Sequence, residues 1–202
     1  ITALGYDPDK TYEEQSEKFR KFWPCDVHVI GKDILRFHTI YWPIFLMALG
    51  LPLPKKIFGH PWFNFGLDKM SKSKGNVIYA DELADHFGVD GVRYYALAEM
   101  PYNNDGSITY ENVIKRYNTD LVNNLGNLVK RTLDMQKKYF DKVIAAPTAP
   151  EALDGELKGA CFTAYGKVKE AVESYHIADA TAALMELFSR ANKYIDETTP
   201  WT

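Results

Sequence analysis

The run Lys69-Met70-Ser71-Lys72-Ser73, followed by Lys74-Gly75-Asn76, sets flexible cations beside small hydroxyl side chains just before a glycine break. That composition suits phosphate chemistry. A displacement at phosphorus spreads negative charge over non-bridging and leaving oxygens. Ammonium groups held there lower the barrier when their interaction strengthens in the transition state. A lysine-rich turn that is only solvated has the same composition, so the residues around the run decide between the two readings.

Those residues read as alternating strands and helices. Asp26-Val27-His28-Val29-Ile30-Gly31 is a short apolar strand ending in glycine, and Asp33 opens an amphipathic stretch through Leu49 with Gly50 as its stop. Pro43 within that stretch predicts a kink or break near Trp42, because its ring removes a donor and crowds the preceding turn. Ile57 to His60 is a second strand candidate, leading through the aromatic segment Trp62 to Phe65 into the lysine loop. Asp81 is placed to cap a helix ending at Gly88, and a second helix runs from Gly91 to Met100, before Pro101. This alternation predicts a parallel α/β sheet with ligands beyond the carboxyl ends of its strands, so Gly31, Asp33 and the Lys69 loop share one edge.

After Asn103-Asn104-Asp105-Gly106 the pattern turns helical. Leu121, Leu125, Leu128, Val129 and Leu133 form a core stripe, and Asn123, Asn127 and Arg131 step by four along an exposed polar ridge. Residues 145–150 read as a linker, followed by helices over 156–173 and 178–196.

Composition bounds the function classes. The 202 residues, 46% hydrophobic and 14% aromatic, describe a globular chain with a sizeable core. A net charge of −3 argues against a generally basic nucleic-acid binder. Residues 55–74 nevertheless hold five lysines against one aspartate, and residues 115–142 hold seven Lys or Arg against three aspartates. Two local basic patches can therefore meet phosphates. Cys25 and Cys161 stand far apart, indicating neither a disulfide framework nor a zinc site and fitting a reducing cytoplasm. Ile40 to Leu53 is broken by Pro43, Gly50 and Pro52, so no membrane span is expected, nor a signal peptide. The opening Ile1-Thr2-Ala3 without Met suggests a piece of something longer.

Three blocks carry a family resemblance. The first runs from Trp23-Pro24 through Asp26 to Ile34, with Phe37-His38 and Tyr41-Trp42-Pro43. The second is Lys69 to Asn76, and the third is Asn127 to Arg131 with Pro200-Trp201. The second block resembles the KMSKS signature of class I aminoacyl-tRNA synthetases. Nearly the whole chain is similar to the later part of their methionyl members. The fold implied is α/β: the second half of a Rossmann-type parallel sheet (1–105), a stem-contact connection (106–119), then an incomplete α-helical anticodon-binding bundle (120–202).

The resemblance also implies roles. Lys69, Ser71, Lys72 and Ser73 match the phosphate loop, with Lys72 the foremost transition-state cation. Gly31 and Asp33 match the turn that meets ATP's adenosine, and Lys32 stands beside the phosphate path. Phe37, His38 and Trp42 match the methionine pocket, where a thioether is recognised through aromatic contact and shape. Asn127, Arg131 and Trp201 match anticodon readers. Duller readings remain open: Asp33 as a helix cap, His38 as a satisfied core histidine, the aromatic stripe as core, and His28 and His60 as structural or supporting residues. Pro61 stands where the family commonly has glycine, which puts nucleotide contacts there in question.

The expected function is ATP-dependent, Mg2+-assisted activation of methionine and its transfer to tRNA(Met), met through anticodon and acceptor stem. No His-x-Gly-His occurs in the chain, and zinc, if any, belongs to a part outside it. Inactivity of the chain alone is therefore expected. A tRNA-binding fragment without catalysis, and a class I synthetase for another amino acid, are the alternatives.

Overall fold

The computed structural model describes residues 1–65, 75, 77–99, 104–144 and 149–201. Lys69, Ser71, Lys72 and Ser73 lie outside the described residues. Contacts divide the chain into two units, Ile1–Trp62 and Phe63–Thr202.

In the first unit, helix α1 (Glu17–Phe22) starts where Ser16 Oγ accepts the Phe19 N–H at 3.1 Å. It buries Phe19 against Trp23, Leu46 and Leu51. The Trp23 indole N–H is satisfied by the Pro52 carbonyl at 3.0 Å, and the Tyr12 hydroxyl donates to the Trp23 carbonyl at 2.8 Å. Strands β1 (Val27–Gly31) and β2 (Lys56–His60) then pair in parallel, with Gly31 opposite His60.

Parallel neighbours need a crossover, and here it is the segment anticipated as one kinked helix. It comprises a 3₁₀ turn at Lys32–Ile34, a π-helical turn at Phe37–Tyr41 and helix α2 (Trp42–Ala48). Pro43 falls at the start of α2, the position where a missing amide costs least. The anticipated break near Trp42 is therefore resolved by a widened turn just before the proline.

In the second unit, β3 (Phe63–Phe65) and β4 (Gly106–Ile108) form another parallel pair. Helix α3 (Ala80–Ala98) is interrupted at Gly88, whose φ of 74° only glycine adopts cheaply. Tyr79, not Asp81, occupies the N-cap; Asp81 lies in the first turn, where its carboxylate meets the positive end of the helix dipole. Helix α4 (Tyr110–Arg116) is capped by Thr109 and runs into a π-helical stretch, Tyr117–Gly126, and then α5 (Asn127–Tyr139). Helices α6 (Ala152–Glu173) and α7 (Ile177–Thr198) form a hairpin, with Arg190 bridging to Glu156 at 3.2 Å and Lys167 to Glu186 at 3.3 Å.

Leu83, Tyr95 and Val113 centre a core in this unit. The leucine stripe is only half a core: Leu121, Leu125 and Leu128 are partly buried, whereas Val129 and Leu133 are exposed, Leu133 by 63%. The helical period aligns these residues on one face but does not supply a layer along its whole length.

Candidate functional site

The carboxyl end of β1 leads directly into the Gly31-Lys32-Asp33 turn. A Cβ on Gly31 would stand 2.5 Å from Asp33 Oδ1, so the absence of a side chain lets this carboxylate fold back over the strand end. The Trp62 indole N–H donates to that same Oδ1 at 3.3 Å, and Lys32 Nζ stands 4.5 Å from the centre of the Trp62 ring. Asp33 is therefore oriented by tertiary contact. The N-cap of the 3₁₀ turn is Gly31, so Asp33 is not the cap. Trp62 was not anticipated in this role, because the partners are 29 residues apart.

Pro61 is buried, and its carbonyl lies 2.9 Å from His60 Nδ1. The missing amide at this position is thus accompanied by a carbonyl already engaged.

A 440 Å³ recess follows the turn, lined by His28, Phe37, His38, Tyr41, Trp42 and Phe45. Phe37, His38 and Trp42 are brought together in its lining. The His38 Nδ1–H donates to the Ile34 carbonyl at 3.0 Å, which fixes the ring. The Trp42 indole N–H points to His28 Nε2 at 3.1 Å, and His28 Nδ1 lies 3.5 Å from Cys25 Sγ. Burial, helped by the nearby His38, lowers the His28 pKa, and burial raises that of the Cys25 thiol. The wall is almost wholly aromatic, with Phe37 58% and Phe45 59% exposed. Tyr41 and Phe45 follow Phe37 at successive steps of four, a signal that the sequence carried but that a core helix shares. His28 gave no sequence signal beyond its place on a strand.

The second unit holds a groove of 820 Å³ whose lining includes Tyr94, Arg116, Asp120, Asn123, Asn127, Arg131, Asn192 and Asp196. Asn127 Nδ2 donates to Asn192 Oδ1 at 3.2 Å, and Arg131 is ion-paired with Asp196. The ridge anticipated as simply exposed is thus partly engaged: steps of four place Asn127 and Arg131 on one face, and α7 runs along it. Trp201, 41% exposed, follows α7. Within the same lining Asp120 is buried and accepts from the Tyr94 hydroxyl at 2.6 Å and Arg116 Nη1 at 3.1 Å, while Arg116 Nε donates to Glu99 at 2.7 Å. Among the described residues no three His, Cys, Asp or Glu side chains converge as a metal site requires, and no helix is long and apolar enough to cross a membrane.

Residues 1–133 match the family model for tRNA synthetases class I (M). A methionine–tRNA ligase from Clostridium perfringens is 55% identical over the whole chain, and one from Caldanaerobacter subterraneus is 51% identical. The chain spans only 30% and 31% of those proteins. Mycobacterium tuberculosis methionyl-tRNA synthetase in complex with methionyl-adenylate superimposes with a TM-score of 0.91 at 40% identity, over 99% of this chain and 38% of that one. The same enzyme in its apo form gives 0.85 at 37% identity.

Proposed function

Because the chain belongs to the class I tRNA synthetases (M), we propose that it is part of a methionine–tRNA ligase. It supplies one wall of the activation site and the first helices of the anticodon-binding domain. The observation that carries this reading is the aromatic recess lined by Phe37, His38 and Trp42, placed directly after the Gly31–Asp33 turn. Thioether and ring faces are matched in polarisability, so a wall of aromatic rings suits a flexible thioether side chain.

In this reading the methionine carboxylate attacks the α-phosphate of ATP, pyrophosphate leaves, and the adenylate passes to the terminal ribose of tRNA(Met). Asp33 accepts hydrogen bonds from the ribose hydroxyls, with the Trp62 N–H holding its other face. Lys69, Ser71, Lys72 and Ser73 act on the phosphates, and Lys32 stands beside them. Magnesium enters on the triphosphate oxygens, as it does where a protein offers few ligands. Asn127, Arg131 and Trp201 read the anticodon, for which Arg131 exchanges Asp196 for RNA. Residues 1–105, 106–119 and 120–202 keep their separate catalytic, stem-contact and anticodon roles.

Pyrophosphate exchange with ATP across a panel of amino acids tests the reading, using the chain alone and joined to the remainder of the ligase. Exchange only in the joined protein, and only with methionine, is expected. Exchange with another amino acid overturns the pocket assignment, and robust exchange by the chain alone overturns the partial-site reading. The match to about a third of each relative also supports a second reading, a tRNA-binding fragment. Binding of tRNA(Met) by the chain in the absence of any exchange favours it.

A further inference from the structure

We propose that His28 is a positioning residue for the amino-acid recess, holding the Trp42 indole in place as a neutral imidazole protonated on Nδ1. This rests on the reading of the recess as the amino-acid pocket. The argument begins with donor and acceptor capacity. An indole nitrogen only donates. His28 Nε2, 3.1 Å from Trp42 Nε1, must therefore accept, and a neutral ring that accepts at Nε2 carries its proton on Nδ1. Cys25 Sγ stands beside the ring, 3.5 Å from Nδ1 and 3.7 Å from Nε2, so the tautomer is set by the indole donor. The thiol keeps its own proton, since burial raises its pKa.

The His28–Trp42 contact thus ties the start of β1 to the first residue of α2 and sets one wall of the recess. The Trp23 and Trp42 ring centres lie 5.9 Å apart, and Trp23 belongs to the buried core, so the indole is also held by packing.

A second proton on His28 would turn both ring nitrogens into donors. Two N–H groups would then face each other and the indole would lose its acceptor. The titratable groups packed against His28 are Cys25 and, from the π-helical turn, His38, whose ring centre is 6.0 Å away. Asp26, next to Cys25 in the chain, acts on the thiol. Burial first, and His38 second, disfavour the charged imidazole. The folded-state pKa therefore lies below the ordinary 6.5. The stabilisation is complete above 6.5 and is lost as the pH falls through the lowered value.

The test uses the full-length ligase that contains this chain. His28→Phe keeps a ring without an acceptor. It is expected to raise KM for methionine about tenfold, the size of effect produced when a half-buried donor loses its partner, with KM for ATP unmoved. His28→Gln, whose Oε1 reaches the Nε2 position, is expected to recover most of that loss. As the pH falls through the lowered His28 pKa, the unsubstituted protein's KM for methionine rises, while that of His28→Gln stays level. Equal effects on both substrates, equal behaviour of the Phe and Gln variants, or parallel pH profiles overturn the proposal. Isotopic labelling of the histidine ring nitrogens in the unsubstituted protein, read by NMR, needs no variant: an Nδ1–H tautomer at His28 is expected, and Nε2–H overturns the proposal. Should the enzyme activate another amino acid, the same comparison is made on that substrate's KM, so the pocket reading and the positioning role fail separately.

Discussion

Replacing Tyr94 by Phe removes one hydroxyl from the most buried charge among the described residues of the second unit. Asp120 is 7% exposed, and its Oδ2 accepts from the Tyr94 hydroxyl at 2.6 Å and from Arg116 Nη1 at 3.1 Å. Burial, followed by the bond to Asp120, holds the Tyr94 hydroxyl in its protonated, donating form by raising its pKa. Hydrogen bonds to charged groups contribute about 1.5–3 kcal/mol, and a carboxylate that retains an arginine partner belongs near the lower end, about 2 kcal/mol. With a urea dependence of about 2 kcal/mol per molar, the midpoint should fall by about 1 M. The assay can separate the units, because Trp23, Trp42 and Trp62 lie in Ile1–Trp62 and only Trp201 in the other. Far-ultraviolet circular dichroism is dominated by the longer helices of the second unit, and tryptophan fluorescence by the three tryptophans of the first. The helical transition should move while the fluorescence transition stays. In a double-mutant cycle with Asp120→Ala the two substitutions should be strongly non-additive. A midpoint unchanged within about 0.2 M, or strict additivity, would refute the view that this hydroxyl satisfies the buried carboxylate.

Gly31→Ala should push the Asp33 carboxylate from its place, since the new Cβ would meet Oδ1 at 2.5 Å; KM for ATP in the full-length ligase should rise about tenfold, measured by pyrophosphate exchange. Arg131→Ala and Asn127→Ala should each weaken tRNA(Met) binding by roughly tenfold to a hundredfold, read by filter binding, with methionine activation unaltered. Thiol alkylation followed by peptide mass spectrometry should label exposed Cys161 first and Cys25 roughly tenfold more slowly, because burial raises the Cys25 pKa and slows access.

Much of the architecture was legible because it is local. A short apolar run ending in glycine and a second strand candidate placed β1 and β2 to within a residue, and Gly88 and Pro43 marked the two interruptions where they occur. Parallel pairing followed from the strand, helix, strand order. The candidate pocket was partly legible: Phe37, His38 and Trp42 lie within six positions of one another, so one crossover segment carries all three into the recess. The cap at Tyr79 and the exposed half of the leucine stripe were not legible, because each depends on what packs alongside and not on spacing.

What the sequence determined by itself is therefore the chemistry available and its periodicity: a lysine and serine loop, a glycine-ended strand, an aromatic stripe and a polar ridge. Tertiary structure decided the partners. Trp62 reaches Asp33 across 29 positions, Trp42 reaches His28 across 14, and Arg131 meets Asp196 across 65. The reason is physical. Backbone conformation is set by neighbours along the chain, whereas a side chain's hydrogen bond requires a donor and an acceptor within about 3 Å, and only the packing of distant segments brings them there.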